Sequence, residues 1–384
     1  MMRAFAAALL SACTSGCGRS DAPSSRPATL GDVKALAEQV RGGACSFGRS
    51  RESARCTHFA LPVLAWLNDR YLGSAPTRRY ACVADAAECL AEFGPAARDA
   101  TPALIEALER GPNDYDTGDG VIPSRSYVAS ALGKLEDPRA IEPLGRALRS
   151  GVPMDRGPGA LESREPAASG AVVLALARFG PKAIAYAPDF AAILRADERI
   201  ASAAAEALGA TESPEAAPAL AAALTKPEAA EAAAKALGAL GPSAAISVPA
   251  LARLLDSSAT PSARTAAAQA LGQLGDARAV PALAGALRDP LVREVAARSL
   301  GWLGPKAAGA VGPLIDVTRL NTGAVVNLNT RARSYDVQAT RALAARIAAT
   351  QALAKIGGAR AQAALQGLTG DPEVGHAARS RNLP

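Results

Sequence analysis

The residues that could do chemistry in this 384-residue chain are few and widely scattered. His58 and His376 are its two histidines. One lies beside a cysteine-rich loop and the other in the last segment, and neither has a convincing local partner for a general base or an activated nucleophile. The run Asp114-Tyr115-Asp116-Thr117-Gly118-Asp119-Gly120 alternates carboxylates in the manner of a calcium loop. It departs from the EF-hand pattern at three positions: Gly118 stands fifth, Asp119 takes the glycine place, and the twelfth residue is Arg125. It reads as an acidic turn, and no metal site is expected. Six cysteines are present, Cys13, Cys17, Cys45, Cys56, Cys82 and Cys89, with no CxxC pair to suggest zinc or thiol redox work. Cys82 and Cys89 on one helix would stand about 10 Å apart, beyond disulfide reach. Cys56 would lie near Cys89 in a helical hairpin, but Cys45 and Cys56 flank a polar loop and are the favoured bridge. No glycine-rich phosphate loop follows a strand. The chemistry-bearing residues therefore form no catalytic constellation, and they call for no cofactor, nucleic acid or small-molecule substrate.

The N-terminus reads as an address. Arg3 precedes a short apolar run from Ala4 to Leu10, the layout of a secretory signal and too short to span a bilayer, which takes about 20 apolar residues. Leu10-Ser11-Ala12-Cys13 resembles the lipobox of bacterial lipoproteins. That resemblance implies removal of residues 1–12 and lipidation of Cys13. Two or more acyl chains, at about 0.8 kcal/mol per buried methylene, would anchor the protein firmly. Thr14, rather than Asp, follows the cysteine, which implies an exported protein on the outer membrane facing the periplasm. Residues 13–28, rich in Ser, Pro and Gly, read as a flexible tether. Export also permits disulfides.

Stepping from these residues to the elements that carry them, one phrase recurs. Thr265 to Leu287, TAAAQALGQLGDARAVPALAGAL, is an alanine-rich run, a Gly275-Asp276 break, and a second apolar run opened by Pro281. Copies centre on Leu90, Leu132, Leu176, Leu208, Leu237, Leu271, Leu300 and Leu353, spaced 42, 44, 32, 29, 34, 29 and 53 residues apart. Leucines and small residues at helical spacing form a buried stripe. Gly241, Gly275 and Gly304 stand where a helix end takes a left-handed residue, and Pro281 suits a first turn. Asp256-Ser257 and Asp289-Pro290 read as caps for the next helix. With aromatics at 4% against 49% hydrophobic residues, the interior is Ala and Leu, suited to thin helix layers. A unit near 30 residues cannot bury its own face and must stack on its neighbours.

The phrase Asp289-Pro290-Leu291-Val292-Arg293-Glu294-Val295-Ala296-Ala297 resembles the HEAT-like repeat of phycobilisome lyases and many bacterial scaffold proteins. The resemblance implies an all-α fold, a right-handed α-solenoid of two-helix repeats over residues 76–384, with 29–75 as a divergent N-terminal cap. Repeats of this class serve many functions. The leading expectation is an exported scaffold for a protein partner. The rivals are a bilin-lyase-like activity, implied by the resemblance alone, and binding of an acidic envelope polymer. The latter rests on the net charge of +6, carried by arginines after residue 256. Three insertions, at about 110–124, 150–166 and 318–335, each follow a second helix and should share one edge. That rim, with Asp114, Tyr115, Asp116, Asp119, Met154, Asp155, Arg156, Asn327, Asn329, Arg331, Arg333 and Tyr335, is the candidate binding surface. The face lined by second helices is the alternative.

Overall fold

The computed structural model describes residues 86–110, 115–116, 121–122, 124–149, 168–320 and 337–379. Two units divide the chain, Met1–Ala175 and Leu176–Pro384; the division falls inside the stretch 76–384 read from sequence as one run of repeats.

In the first unit, helical residues 86–93 (α1) lead through the turn Gly94–Ala100 into α2 (Thr101–Arg110). After the insertion come α3 (Ser124–Leu135), the capped turn Pro138–Ala140 and α4 (Ile141–Arg149). The helix α2 packs on both α3 and α4. The insertion carries the one strand pair among the described residues: β1 (Tyr115–Asp116) pairs antiparallel with β2 (Val121–Ile122), Tyr115 opposite Ile122. The helix α5 (Ala168–Ala177) ends the unit, running on into the second.

The second unit alternates first and second helices. First helices are α7 (Ala201–Ala210), α9 (Ala230–Leu240), α11 (Pro261–Leu274), α13 (Arg293–Leu303), α15 (Val337–Ile356) and α17 (Gly375–Arg379). Second helices are α6 (Ala187–Ala196), α8 (Ala217–Ala223), α10 (Val248–Leu255), α12 (Val280–Ala286), α14 (Val311–Thr318) and α16 (Ala359–Leu368). Successive first helices pack in one layer and successive second helices in another, α7 on α9 on α11 on α13 on α15, and α6 on α8 on α10 on α12. This is the α-solenoid the repeat phrase calls for. Between the layers lie the anchor residues, Leu208, Leu237, Leu271, Leu300 and Leu353 from the first and Leu220, Leu251, Leu283 and Leu314 from the second, all essentially inaccessible to solvent.

Each part of the phrase has a structural cause. Four residues after every anchor leucine the backbone turns left-handed, at Gly94, Gly180, Gly241, Gly275, Gly304 and Gly357, and at Glu136 and Glu212 in the two copies without glycine. That residue ends the first helix and sends the chain back. The reversal also explains why Ala230–Leu255, apolar enough in composition to cross a membrane, does not form one rod: it turns at Gly241 into two separate helices. The glycine directly after the anchor does different work. A Cβ on Gly209 would stand 2.6 Å from the Ala236 Cβ and 3.0 Å from its Cα. On Gly272 it would meet the Ser299 Cβ at 2.7 Å. These glycines are where neighbouring first helices touch backbone to backbone.

Helix starts correct both cap expectations. Asp289 closes a turn ahead of α13, its Oδ1 accepting from the Leu291 N–H at 2.9 Å, while the N-cap of α13 is Val292, with no side-chain bond. Asp256 does not cap α11: it closes α10, and the N-cap is Thr260, whose Oγ1 accepts from the Ala263 N–H at 3.3 Å. Leu251 and Leu271 stand 20 residues apart where Leu283 and Leu300 stand 17 apart, so the polar residue ahead of the helix moves with the extra length.

Candidate functional site

Of the rim residues, the backbone of Tyr115 and Asp116 is described, in the short ribbon that closes the first insertion. Asp114, Asp119, Met154, Asp155, Arg156, Asn327, Asn329, Arg331, Arg333 and Tyr335 lie outside the described residues, as do Cys13, Cys45, Cys56 and His58. Cys89 is buried in α1. His376 is exposed on α17. Among the described residues no group of three His, Cys, Asp or Glu is placed to hold a metal ion.

Two sets of charged residues tie repeat to repeat, and sequence reading missed both. The first is an Asp-x-Arg turn, at Asp137/Arg139, Asp197/Arg199 and Asp276/Arg278. In each, the aspartate accepts from the backbone N–H two residues on, at 3.0, 3.0 and 2.8 Å, and pairs with that arginine's guanidinium. The second Nη of Arg278 donates to the Ala245 carbonyl of the previous repeat at 3.0 Å, and Arg139 reaches the Arg98 carbonyl at 3.1 Å. The arginine hydrogen bonds hold the carboxyls of Asp137, Asp197 and Asp276 below the usual carboxylate range.

The second set emerges when the first helices are aligned on their anchor leucines. Seven residues before the anchor stand Arg125, Arg264, Arg293 and Arg346. Arg264 Nη1 meets Asp289 Oδ2, on the turn before the next first helix, at 2.5 Å. Arg346 binds Asp371 at 2.5 Å and also Glu373, while its Nε donates to the Thr318 carbonyl at the end of α14 at 2.9 Å. At Asp371, burial pushes the carboxyl up, but the N–H groups of Glu373 and Val374 together with Arg346 outweigh it and hold it low. Arg293 donates to the Leu287 and Arg288 carbonyls at the end of α12, at 2.6 and 3.1 Å. Arg293 and Arg346 thus fill the crevice between a second helix's C-terminus and the next first helix, satisfying carbonyls that a helix end leaves bare.

Between the ends of α8 and α10 and the starts of α9 and α11 lies a cleft of about 370 Å³. Its walls are mainly small and apolar, including Leu224, Ala230, Ala250 and Ala263, with the hydroxyls of Thr225, Ser257 and Thr260 at its border. Arg253 of α10 is its one charged lining residue. The cleft opens on the edge of the second unit where second helices hand over to first helices.

Comparison with known proteins agrees with this architecture. The family model for HEAT repeats matches residues 225–301 and 248–326, and the model for PBS lyase HEAT-like repeats matches 124–150 and 200–226. A search of curated proteins gives no match. Among solved structures, the karyopherin Kap121p bound to Pho4p is similar at a TM-score of 0.51 and 15% identity, over 91% of this chain and 39% of that one. This chain therefore spans about two fifths of the karyopherin's length. An engineered protein matches at a TM-score of 0.44 and 20% identity, covering 91% and 97% of the two chains. The CpcE–CpcF complex of phycocyanin lyase from Nostoc sp. PCC7120 matches at 0.37 and 22% identity, covering 70% and 96%. Residues 124–150 and 200–326 thus carry HEAT-like repeats, stacked as an α-solenoid.

Proposed function

We propose that the chain is an exported, lipid-anchored scaffold that holds a protein partner in the bacterial cell envelope. What supports the binding half is the edge at the ends of the second helices. There Arg195, Thr225, Asp256, Arg288 and Arg319 stand exposed at one register in successive layers of the second unit. A row of side chains repeated layer by layer suits an extended surface meeting an extended partner, the use to which solenoids lend themselves. What supports the address is Leu10-Ser11-Ala12-Cys13 after a short apolar run.

Two experiments test the reading separately. Membrane fractionation of Cys13→Ala is expected to move the protein from the membrane to the soluble fraction; unchanged fractionation refutes anchoring at Cys13. For the binding half, a photo-crosslinking amino acid at Arg288 and at Arg319 should capture the same protein in the intact envelope. Capture that is no different from that of a site on the opposite edge, such as Lys306, removes the partner edge.

A further inference from the structure

The open cleft has a cause in the sequence. Where Arg125, Arg264, Arg293 and Arg346 stand in other first helices, α9 carries Ala230. The turn residue that Arg264 and Arg346 find in the next repeat is Asp289 or Asp371; the residue at the same register ahead of α11, eleven before its anchor, is Thr260. Both halves of the tie are missing at the α9–α11 junction, and Ala230 and Thr260 both line the cleft. Helix α7 also has alanine at the arginine position, Ala201. There Lys226 substitutes, donating to the Leu194 and Arg195 carbonyls at the end of α6 at 3.0 and 2.9 Å. The corresponding carbonyls at the end of α8 belong to Leu224 and Thr225, and no donor among the described residues reaches them. Arg253 likewise has no carboxylate partner among the described residues.

We propose that this cleft is a peptide-docking site, taking an extended acidic segment of a protein partner. In it an apolar side chain enters between Leu224, Ala230 and Ala263, a neighbouring carboxylate pairs with Arg253, and main-chain N–H groups serve the Leu224 and Thr225 carbonyls. The volume is at the low end for ligand sites and holds one or two side chains. An extended peptide supplies all three kinds of group at once: apolar side chain, carboxylate and amide donor. The charge of Arg253 fixes the sign, since a basic segment would bring like charges together in a partly desolvated site. This proposal rests on the scaffold reading and names the chemistry of its partner.

The test uses the mature chain and fluorescein-labelled nonapeptides with a central Leu flanked by Asp and Glu, read by fluorescence anisotropy. Companion peptides replace the acids by Lys or the Leu by Ala. One variant, Ala230→Arg/Thr260→Asp, rebuilds the missing tie and fills the cleft; a second, Arg253→Glu, changes only an exposed charge. The acidic leucine peptide is expected to bind the native chain saturably and the filled variant not at all. Arg253→Glu should bind it roughly tenfold more weakly and should prefer the Lys peptide. The proposal is overturned by equal binding to the filled variant, by a native preference for Lys peptides, or by no saturable binding of any peptide. Binding of N-acetyl-leucine as tight as that of the peptides overturns it too, since that marks a small-molecule pocket. The scaffold reading is judged apart from this, by the crosslinking above: a partner still captured by the filled variant keeps the scaffold and removes the cleft.

Discussion

Replacing Gly209 by alanine separates two accounts of the glycine that follows each anchor leucine. If that glycine were only tolerated in α7, alanine would stabilise the helix by up to about 1 kcal/mol, the propensity difference inside a helix. The structure gives the opposite sign. The new methyl would sit 2.6 Å from the Ala236 Cβ and 3.0 Å from its Cα, whereas carbon atoms rest at about 3.5–4.0 Å. The obstacle is the backbone of α9, not the flexible end of a side chain, so α7 and α9 must part by about 1 Å. Overpacking of this kind costs about 1–3 kcal/mol, leaving a net loss of about 1 kcal/mol after the propensity gain. Gly285 is the control: it is exposed in α12 and a Cβ there meets nothing within 4 Å. Gly285→Ala should stabilise or be neutral. The assay is urea denaturation followed by circular dichroism, with amide exchange in α9 as the local readout, because a repeat array need not unfold in one step. If Gly209→Ala raises the midpoint as Gly285→Ala does, the contact between first helices does not depend on glycine and the account is wrong.

Two further outcomes follow from the turns. Glu212 holds a left-handed backbone, φ 55°, at a position where most copies have glycine; Glu212→Gly should stabilise by about 1 kcal/mol, read as a rise in Tm, and a fall would show that its side chain is needed. Asp137, Asp197 and Asp276 are held below their ordinary pKa by their arginines. Their contribution is therefore present above the unfolded-state value near 4 and is lost as pH falls through the lower folded value. Titration below pH 4 should thus loosen the junctions between repeats, and Asp276→Asn should flatten that part of the stability curve; an unaltered acid limb refutes the assignment.

The fold was legible because its signal is periodic. Anchor leucines, left-handed glycines and prolines recur at one register, and each has a local physical cause that needs no neighbour. The Asp-x-Arg turns and the arginines seven before each anchor were on view in the same alignment. They read as scattered surface charge because their partners, such as Ala245 for Arg278 or Asp289 for Arg264, lie 33 and 25 residues away. The cap assigned to Asp256 failed for a related reason: a link longer than its counterparts shifts the cap to Thr260, and spacing alone does not say which polar residue the helix will use. The insertions drew attention as breaks in spacing. The cleft lies beside one lengthened link, but its lining differs by a change of residue type at the first-helix register, visible only once the register's job is known.

That job also explains how the tie could be lost at one junction without cost to the fold. Arg264 and Asp289 are about three-quarters withdrawn from solvent, their side chains 21% and 24% exposed. Removing either partner alone would leave a charge in a partly desolvated crevice, which is more costly than losing the pair. At the α9–α11 junction the arginine and the aspartate positions are both neutral, Ala230 and Thr260, so no orphan charge remains. The consequence is a signed coupling. Thr260→Asp alone should change little, since the position is exposed and Asp caps α11 as well as Thr does, and Ala230→Arg alone should gain little. Together they should recover the tie, with a coupling energy of about 1–2 kcal/mol in a double-mutant cycle. Strict additivity would mean that the two positions do not face each other as their counterparts do, and the cleft would then need another cause than a missing pair.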